Sequence, residues 1–108
     1  MISPFRGLGE GRMSKQFYVY ILASKHYGTL YIGVTSDLIK RIYQHKSKNI
    51  KGFSEKYDVD KLVYYEAHES AEAAIKREKQ IKKWNRDWKI ELIEACNPHW
   101  QNIYCDIV

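Results

Sequence analysis

Apolar and aromatic residues form two short runs near the start of the chain, with a polar segment between them. The first run, residues 17–22, has the sequence F-Y-V-Y-I-L, and the second, residues 30–34, has the sequence L-Y-I-G-V. Aromatic and β-branched residues favour a pleated, half-buried surface, so each run predicts a β-strand. The polar segment includes Gly28, and two strands joined by a short glycine-containing segment predict a β-hairpin.

Side chains alternate between the two faces of a strand, which groups the tyrosines of this hairpin. Tyr18 and Tyr20 share one face of the first strand, and Tyr31 and Gly33 share one face of the second. If the register aligns them, this face carries several phenol hydroxyls beside a glycine that permits close approach. Aromatic packing is the simpler interpretation of the hairpin taken alone.

Further periodic segments predict one more strand and three helices. Three strands that share a buried face can be stable where a lone hairpin is not. Thr35, Ser36 and Asp37 precede the first helix, while Ser70 and Asn85 precede the other two as potential N-caps. The predicted elements are helices over residues 38–45, 71–84 and from 85 to about 95, a strand over residues 61–67, and a basic loop over residues 46–57.

The first predicted helix places two polar side chains on its inward face. Leu38, Arg41, Ile42 and His45 follow the i, i+3, i+4, i+7 pattern of one helical face, which we expect to face the sheet. This pattern has an explanation that needs no function. The aliphatic part of Arg41 would be buried while its guanidinium extends to solvent, and His45 would be a hydrogen-bonded residue at the boundary of the core. A functional site is the alternative.

The second predicted helix carries a carboxylate, Glu78, in the middle of its apolar stripe. The small or apolar positions of the stripe are Ala71, Ala74, Ile75 and Ile81. A buried carboxylate costs several kcal/mol unless it is paired, hydrogen-bonded or bound to a metal. An ion pair with Arg41 and a metal ligand at the sheet surface are the two interpretations.

Length and composition restrict the class of protein. A chain of 108 residues has room for one small domain. Residues 1–12 contain three glycines and a proline but no apolar signal core, so we interpret them as a flexible leader before a single domain over residues 13–108. No apolar run approaches the roughly 20 residues of a membrane span. Cys96 and Cys105 lack a CxxC spacing, which favours reduced thiols and a cytoplasmic location.

The charge distribution favours an acidic partner, and nucleic acid first. The formal net charge is +5, and residues 76–91 contain seven Lys or Arg against three acids. Trp84 and Trp88 lie among these cations, a combination that suits a phosphate backbone with a nearby stacking surface. A solvated basic face with tryptophans in the core is the simpler alternative.

The order of these features is similar to that in the GIY-YIG nuclease superfamily. Its first motif corresponds to residues 18–20 (Y-V-Y) and its second to residues 31–33 (Y-I-G), followed by a helix Arg at Arg41 and a Glu at Glu78. The resemblance spans about residues 15–104 and is strongest to small stand-alone bacterial members, which are similar to the N-terminal domain of an excinuclease subunit. Tyr18 stands where the first motif has glycine, and we expect it to pack in the core.

The resemblance implies an α+β fold, with a three-stranded antiparallel β-sheet flanked by helices, and metal-dependent hydrolysis of DNA. Glu78 would hold one divalent cation, Mg²⁺ or Mn²⁺, and Arg41 would stabilise the charge of the pentavalent state. Tyr31 would take a proton from the attacking water and Tyr20 would orient that water. His45 matches a histidine that some members carry one helical turn after the Arg.

Other residues would bind the DNA. The family's late Asn is Asn97 or, alternatively, Asn85. The predicted nucleic-acid contacts are Lys40, Lys76, Lys79, Lys82, Lys83, Arg86 and Asn97.

Three functions are compatible with the sequence. The first is a DNA endonuclease of repair, recombination or processing, with DNA and other repair or recombination proteins as partners and no membrane. The second is a nucleic-acid-binding module of the same fold with weak or no cleavage. The third is a structural partner of a larger complex through the aromatic tail over residues 100–104.

Overall fold

The computed structural model describes residues 16–47 and 59–107 of the chain. The leader proposed for residues 1–12 and most of the loop predicted over residues 46–57 lie outside these ranges. The elements in chain order are β1 (Phe17–Ala23), β2 (Leu30–Thr35), α1 (Leu38–Lys46), β3 (Lys61–His68), α2 (Ala71–Lys83), α3 (Arg86–Cys96) and a 3-10 helix (Ile103–Asp106). Each predicted strand and helix is present, with ends that differ by at most one residue.

The strands form one antiparallel sheet in the order β2-β1-β3. Tyr20 in the central strand pairs with Gly33 of β2 and with Tyr65 of β3. The helices flank this sheet, so the predicted α+β fold is confirmed. Because β1 is central, its residues are held by hydrogen bonds on both sides and Tyr20 has a well-defined position.

The helices begin where the sequence predicted. Asp37, Ser70 and Asn85 are the N-caps of α1, α2 and α3, and each side-chain oxygen accepts a hydrogen bond of 2.9–3.2 Å from the backbone N–H three residues later. Such caps satisfy backbone donors that have no partner inside the helix.

Both faces of β1 are buried, but against different partners. Val19 and Ile21 pack with residues of α2 and α3, whereas Tyr20 packs with α1 and the C-terminal segment. The predicted inward face of α1 is confirmed, since Leu38, Ile42 and His45 are at most 1% exposed and Arg41 is half-buried. The C-terminal segment packs back on the domain, with Trp100 and Ile107 buried.

The apolar stripe of α2 is narrower than predicted. Ala74 and Ile81 are fully buried, but Ile75 is 44% exposed, so its assignment to the buried stripe is wrong. Consecutive helical residues are rotated by about 100°, which turns Ile75 away from the core that Ala74 faces. Within residues 16–47 and 59–107, no helix has the length and apolar character required to cross a membrane.

Candidate active site

The phenol ring of Tyr20 occupies the space that the side chain of its cross-strand partner would fill if that partner, Gly33, were any other residue. A Cβ atom placed on Gly33 would lie 2.5 Å from the Tyr20 hydroxyl oxygen and 2.6 Å from Cζ. Both separations are far shorter than van der Waals contact. The phenol therefore lies directly against the backbone of β2. This contact gives a physical reason for the glycine of the Y-I-G motif.

His45 contacts the hydroxyl of Tyr20 from the last turn of α1. The Tyr20 oxygen and His45 Nε2 are 3.2 Å apart, and His45 is 1% exposed. Burial and the nearby charge of Arg41 lower the pKa of His45 to about 4, so its imidazole is neutral at pH 7. Among the described residues, the buried Nδ1 atom of His45 has no hydrogen-bond partner.

Tyr31 completes a group of three rings. Its ring centroid lies 5.1 Å from that of His45 and 6.2 Å from that of Tyr20. Tyr20 is 1% exposed, whereas Tyr31 is half-buried and so partly accessible to solvent. Burial raises the pKa of Tyr20, and the hydroxyl of Tyr31 raises it further. Tyr20 is therefore a protonated phenol at neutral pH.

Arg41 and Glu78 act on the same hydroxyl from two different helices. The positive charge of Arg41 lowers the pKa of Tyr20, and the negative charge of Glu78 raises it, although both effects are smaller than that of burial. The structure thus brings the rings of Tyr20, Tyr31 and His45 together, while Arg41 and Glu78, the other two residues predicted as catalytic, act on Tyr20 through their charges.

The carboxylate of Glu78 pairs with a lysine of its own helix. Its Oε2 atom accepts a hydrogen bond of 2.7 Å from Lys82 Nζ, and its side chain is 15% exposed. The suggested ion pair between Glu78 and Arg41 is not the one formed. Sequence analysis missed Lys82 as the partner, although a Glu and a Lys at i, i+4 were a signal for it.

Glu78 provides a single carboxylate for a cation. Among the described residues, no group of three or more His, Cys, Asp or Glu side chains lies close enough together to hold a metal ion. Mg²⁺ usually keeps several waters and binds through one or two carboxylates together with substrate phosphates. One carboxylate is therefore sufficient for a cation that is shared between Glu78 and a phosphate. The hydrogen bond between Lys82 Nζ and Glu78 Oε2 must break before the cation binds.

Most of the predicted nucleic-acid contacts are exposed. Lys40, Lys76, Lys79, Lys82, Lys83 and Arg86 all lie on the surface. The guanidinium of Arg86, however, donates hydrogen bonds of 2.6 and 2.7 Å to the carbonyl oxygens of Tyr27 and Gly28. Arg86 thus fastens α3 to the hairpin turn, which limits its freedom to contact a phosphate.

Asn97 and Asn85, the two candidates for the family's late Asn, both use their side chains for hydrogen bonds to the protein backbone. Asn97 is 7% exposed, its Nδ2 donates to the carbonyl oxygens of Val63 and Gln101 at 3.0 and 2.9 Å, and its Oδ1 accepts from Gln101 N at 3.0 Å. Asn85 caps α3. A contact between Asn97 and nucleic acid would require these interior bonds to break.

Comparisons with known proteins show the family to which the chain belongs. The family model described as the GIY-YIG catalytic domain matches residues 16–91. The chain is 36% identical over 76 residues to a UPF0213 protein of Staphylococcus saprophyticus, which covers 70% of this chain and 92% of that protein. It is 41% identical over 90 residues to a UPF0213 protein of Syntrophus aciditrophicus, which covers 80% of this chain and 97% of that protein.

A solved structure shows the same fold. The solution NMR structure of a UPF0213 protein from Bacillus halodurans superimposes with a TM-score of 0.51 at 30% identity, over 81% of this chain and 92% of that one. The chain therefore belongs to the GIY-YIG family, a nuclease-type family, and its relatives are the small UPF0213 proteins. The resemblance inferred from the motifs is confirmed.

Proposed function

We propose that this protein is an endonuclease that hydrolyses DNA phosphodiester bonds with the help of one divalent cation. The observation that supports this most is the environment of the Tyr20 hydroxyl, on which side chains from three other elements act. His45 bonds to it, Tyr31 of β2 lies beside it, and the charges of Arg41 and Glu78 act on it. Packing alone does not require two charged side chains at one buried phenol.

Each of the five residues has a distinct role in this proposal. Arg41 stabilises the extra negative charge that the phosphate gains as the water attacks. Tyr31, which is partly accessible, takes a proton from that water as it gives its own hydroxyl proton to solvent, and Tyr20 orients the water. Because the imidazole of His45 is neutral, its Nε2 can accept a hydrogen bond from the Tyr20 hydroxyl, which fixes the orientation of that hydroxyl toward the water.

Glu78 holds the cation, Mg²⁺ or Mn²⁺. When bound, the cation neutralises charge on the phosphate and helps the 3′-oxygen to leave. The exposed lysines of α1 and α2 hold the flanking phosphates, which carry no sequence information. The setting we propose is DNA repair, recombination or processing in the cytoplasm, with other proteins of those processes as partners.

A nucleic-acid-binding module with weak or no cleavage is the second candidate. Two observations favour it: Lys82 neutralises Glu78, and Tyr20 remains protonated. A site in this state binds a cation only after the ion pair opens. The two candidates share the fold and the basic surface, and they differ only in whether a phosphodiester bond breaks.

Nicking of a supercoiled plasmid distinguishes the two functions. Purified protein should nick the plasmid with Mg²⁺ or Mn²⁺ and not with EDTA. Glu78→Ala and Tyr31→Phe should each lower the rate by on the order of 100-fold or more. Two matched controls should nick like the wild type: Glu72→Ala, an exposed acid of the same helix, and Tyr43→Phe, a tyrosine that is 58% exposed on α1.

The assignment fails if Glu78→Ala and Tyr31→Phe nick as fast as the wild type. DNA binding that depends on salt, without any nicking in either cation, would instead favour the binding module.

A further inference from the structure

Trp88 is an exposed tryptophan that has no role in the proposed catalytic site. It is 53% exposed on α3, although a tryptophan is usually largely buried. It packs edge-to-face against Trp84, with ring centroids 5.9 Å apart at an interplanar angle of 80°. Trp84 is half-buried and packs against the core. It therefore contacts Trp88 on the side nearer the core, and much of the Trp88 indole stays exposed to solvent.

A chain of contacts holds this tryptophan pair in place. The guanidinium of Arg77 lies 5.2 Å from the ring centroid of Trp84, and its Nε donates to Glu66 Oε2 at 3.0 Å. Tyr64 donates to the other carboxylate oxygen at 2.6 Å, and His68 lies 2.6 Å from Oε2. Although burial acts to raise it, these bonds hold the pKa of Glu66 below its usual value, so the carboxylate stays charged and keeps Arg77 fixed. A pre-ordered surface loses little entropy when it binds a ligand.

Two depressions that share Trp84 adjoin the pair, and one of them is lined by cations. A groove of about 700 Å³ runs along α2 to Trp84, and its cations include Lys76, Lys79 and Lys83. Beyond Trp84, a shallower depression of about 320 Å³ contains Trp88, Leu92 and Glu91. We name the surface formed by Lys76, Lys83, Trp84 and Trp88 the tryptophan surface. Among the described residues, no acidic side chain lines the groove along α2, whereas Glu91 lines the depression that contains Trp88.

We propose that the tryptophan surface binds a single-stranded segment of the nucleic acid, with its phosphates at the lysines and a base stacked on Trp88. The exposed indole requires a base with a free face, which a single strand offers and a continuous duplex does not. The lysines complement the phosphates in charge. This inference rests on the proposed function in so far as the partner is a nucleic acid.

The position of the surface suggests how one substrate could reach both sites. Glu78 and Lys76 are two residues apart on α2, which is about 200° of rotation, so they lie on different flanks of the helix. A helix with its side chains is about 10 Å across, so a strand that leaves the catalytic residues can pass over α2 to Trp88. The substrate would then contain a junction between duplex and single strand.

A binding experiment without divalent cation tests this inference apart from cleavage. The probes are a fluorescein-labelled 20-mer of oligothymidine and a labelled duplex of the same length, measured by fluorescence anisotropy in EDTA. Trp88→Ala should weaken binding of the oligothymidine on the order of tenfold and change duplex binding by less than about twofold. Trp88→Phe, which keeps a stacking ring, should retain most of the affinity. Tyr43→Ala removes a comparably exposed ring from α1 and should change neither affinity.

Each contrary result has a definite meaning. Wild-type affinity of Trp88→Ala for oligothymidine, or an equal loss for both probes, would overturn the inference. Dimerisation that Trp88→Ala abolishes, with no change in oligothymidine binding, would overturn it too and assign the surface to a second copy of this chain. If the wild type never nicks a plasmid but Trp88 still selects single strands, the proposed function fails and this inference stands.

Discussion

The two faces of the central strand differ in what they bury. Val19 and Ile21 face α2 and α3, where most of their buried neighbours are aliphatic. Tyr20 faces α1, where it meets a buried imidazole, and the charges of Arg41 and Glu78 act on its hydroxyl. Both faces exclude water equally well, since all three residues are at most 1% exposed.

From this difference we propose that the face containing Tyr20 has a role beyond stability. An aliphatic side chain gains from burial without any further requirement, whereas a buried hydroxyl or imidazole must find a partner. His45 meets this requirement only in part, because its Nδ1 lacks a partner among the described residues. Groups that break a packing rule without an evident structural gain are expected at functional sites. The predictions below test whether the face containing Tyr20 is used for chemistry.

The largest effect should come from removing the charge beside Tyr20. Arg41→Ala should lower the nicking rate on the order of 10²–10³-fold, because Arg41 is proposed to stabilise charge that develops only in the transition state. Lys40→Ala, at the exposed neighbouring position, should mainly weaken binding and lower its salt dependence. Single-turnover rates at saturating DNA separate these effects. Equal rate losses in both variants would contradict a specific role for Arg41.

The space at Gly33 provides the next test. Gly33→Ala would place a methyl group 2.5 Å from the Tyr20 oxygen, so the phenol must move. We expect a loss of about 1–3 kcal/mol in the free energy of unfolding and a fall in nicking on the order of 100-fold.

Gly28→Ala is the matched control for Gly33→Ala. Its Cβ would lie 2.3 Å from Ser24 Oγ and 2.9 Å from the backbone nitrogen of Lys25, so it should also destabilise the protein. Because it lies in the hairpin turn, it should leave the nicking rate per folded molecule unchanged. Urea unfolding and nicking measured on the same samples make this comparison. A normal nicking rate in Gly33→Ala would count against the geometry of Tyr20.

A smaller effect is expected from pH. The pKa of His45 is about 4 in the folded protein and 6.5 as its ordinary value, so the unfolded chain binds the proton more tightly. Stability is therefore unaffected above pH 6.5 and falls as the pH decreases toward 4. Between pH 6.5 and 5 this amounts to about 2 kcal/mol. Urea unfolding should show a steeper loss for the wild type than for His45→Gln; parallel curves would show that His45 does not titrate as described.

Local patterns in the sequence were sufficient for the elements and for the inward face of α1. These patterns depend only on neighbours within one helical turn or one strand. They are the alternation along the strands, the capping residues, and the spacing of Leu38, Ile42 and His45. The order of the motifs then placed Tyr31 and Glu78 at one site, through a family resemblance that the comparisons confirm. Their roles in catalysis stay predictions.

Interactions that depend on the packing of separate elements were beyond sequence analysis. Asn97 was expected to contact the nucleic acid, but the C-terminal segment folds back, and its Gln101 backbone forms hydrogen bonds with the side-chain amide of Asn97. Ile75 was expected in the core, but the rotation of α2 is set by Ala74 and Ile81, which pack deepest. Glu78 was expected to pair with Arg41 or a metal, but it pairs with Lys82, a partner that the i, i+4 spacing within α2 could have predicted.

The most direct test of the site is the removal of one oxygen atom, by Tyr20→Phe. Phenylalanine fits the space against Gly33, so the circular dichroism spectrum and the oligomeric state should match those of the wild type. Plasmid nicking in Mg²⁺ or Mn²⁺ should nevertheless fall on the order of 100-fold, because the hydroxyl that orients the water and contacts His45 is gone. A folded Tyr20→Phe variant that nicks at the wild-type rate would contradict the account.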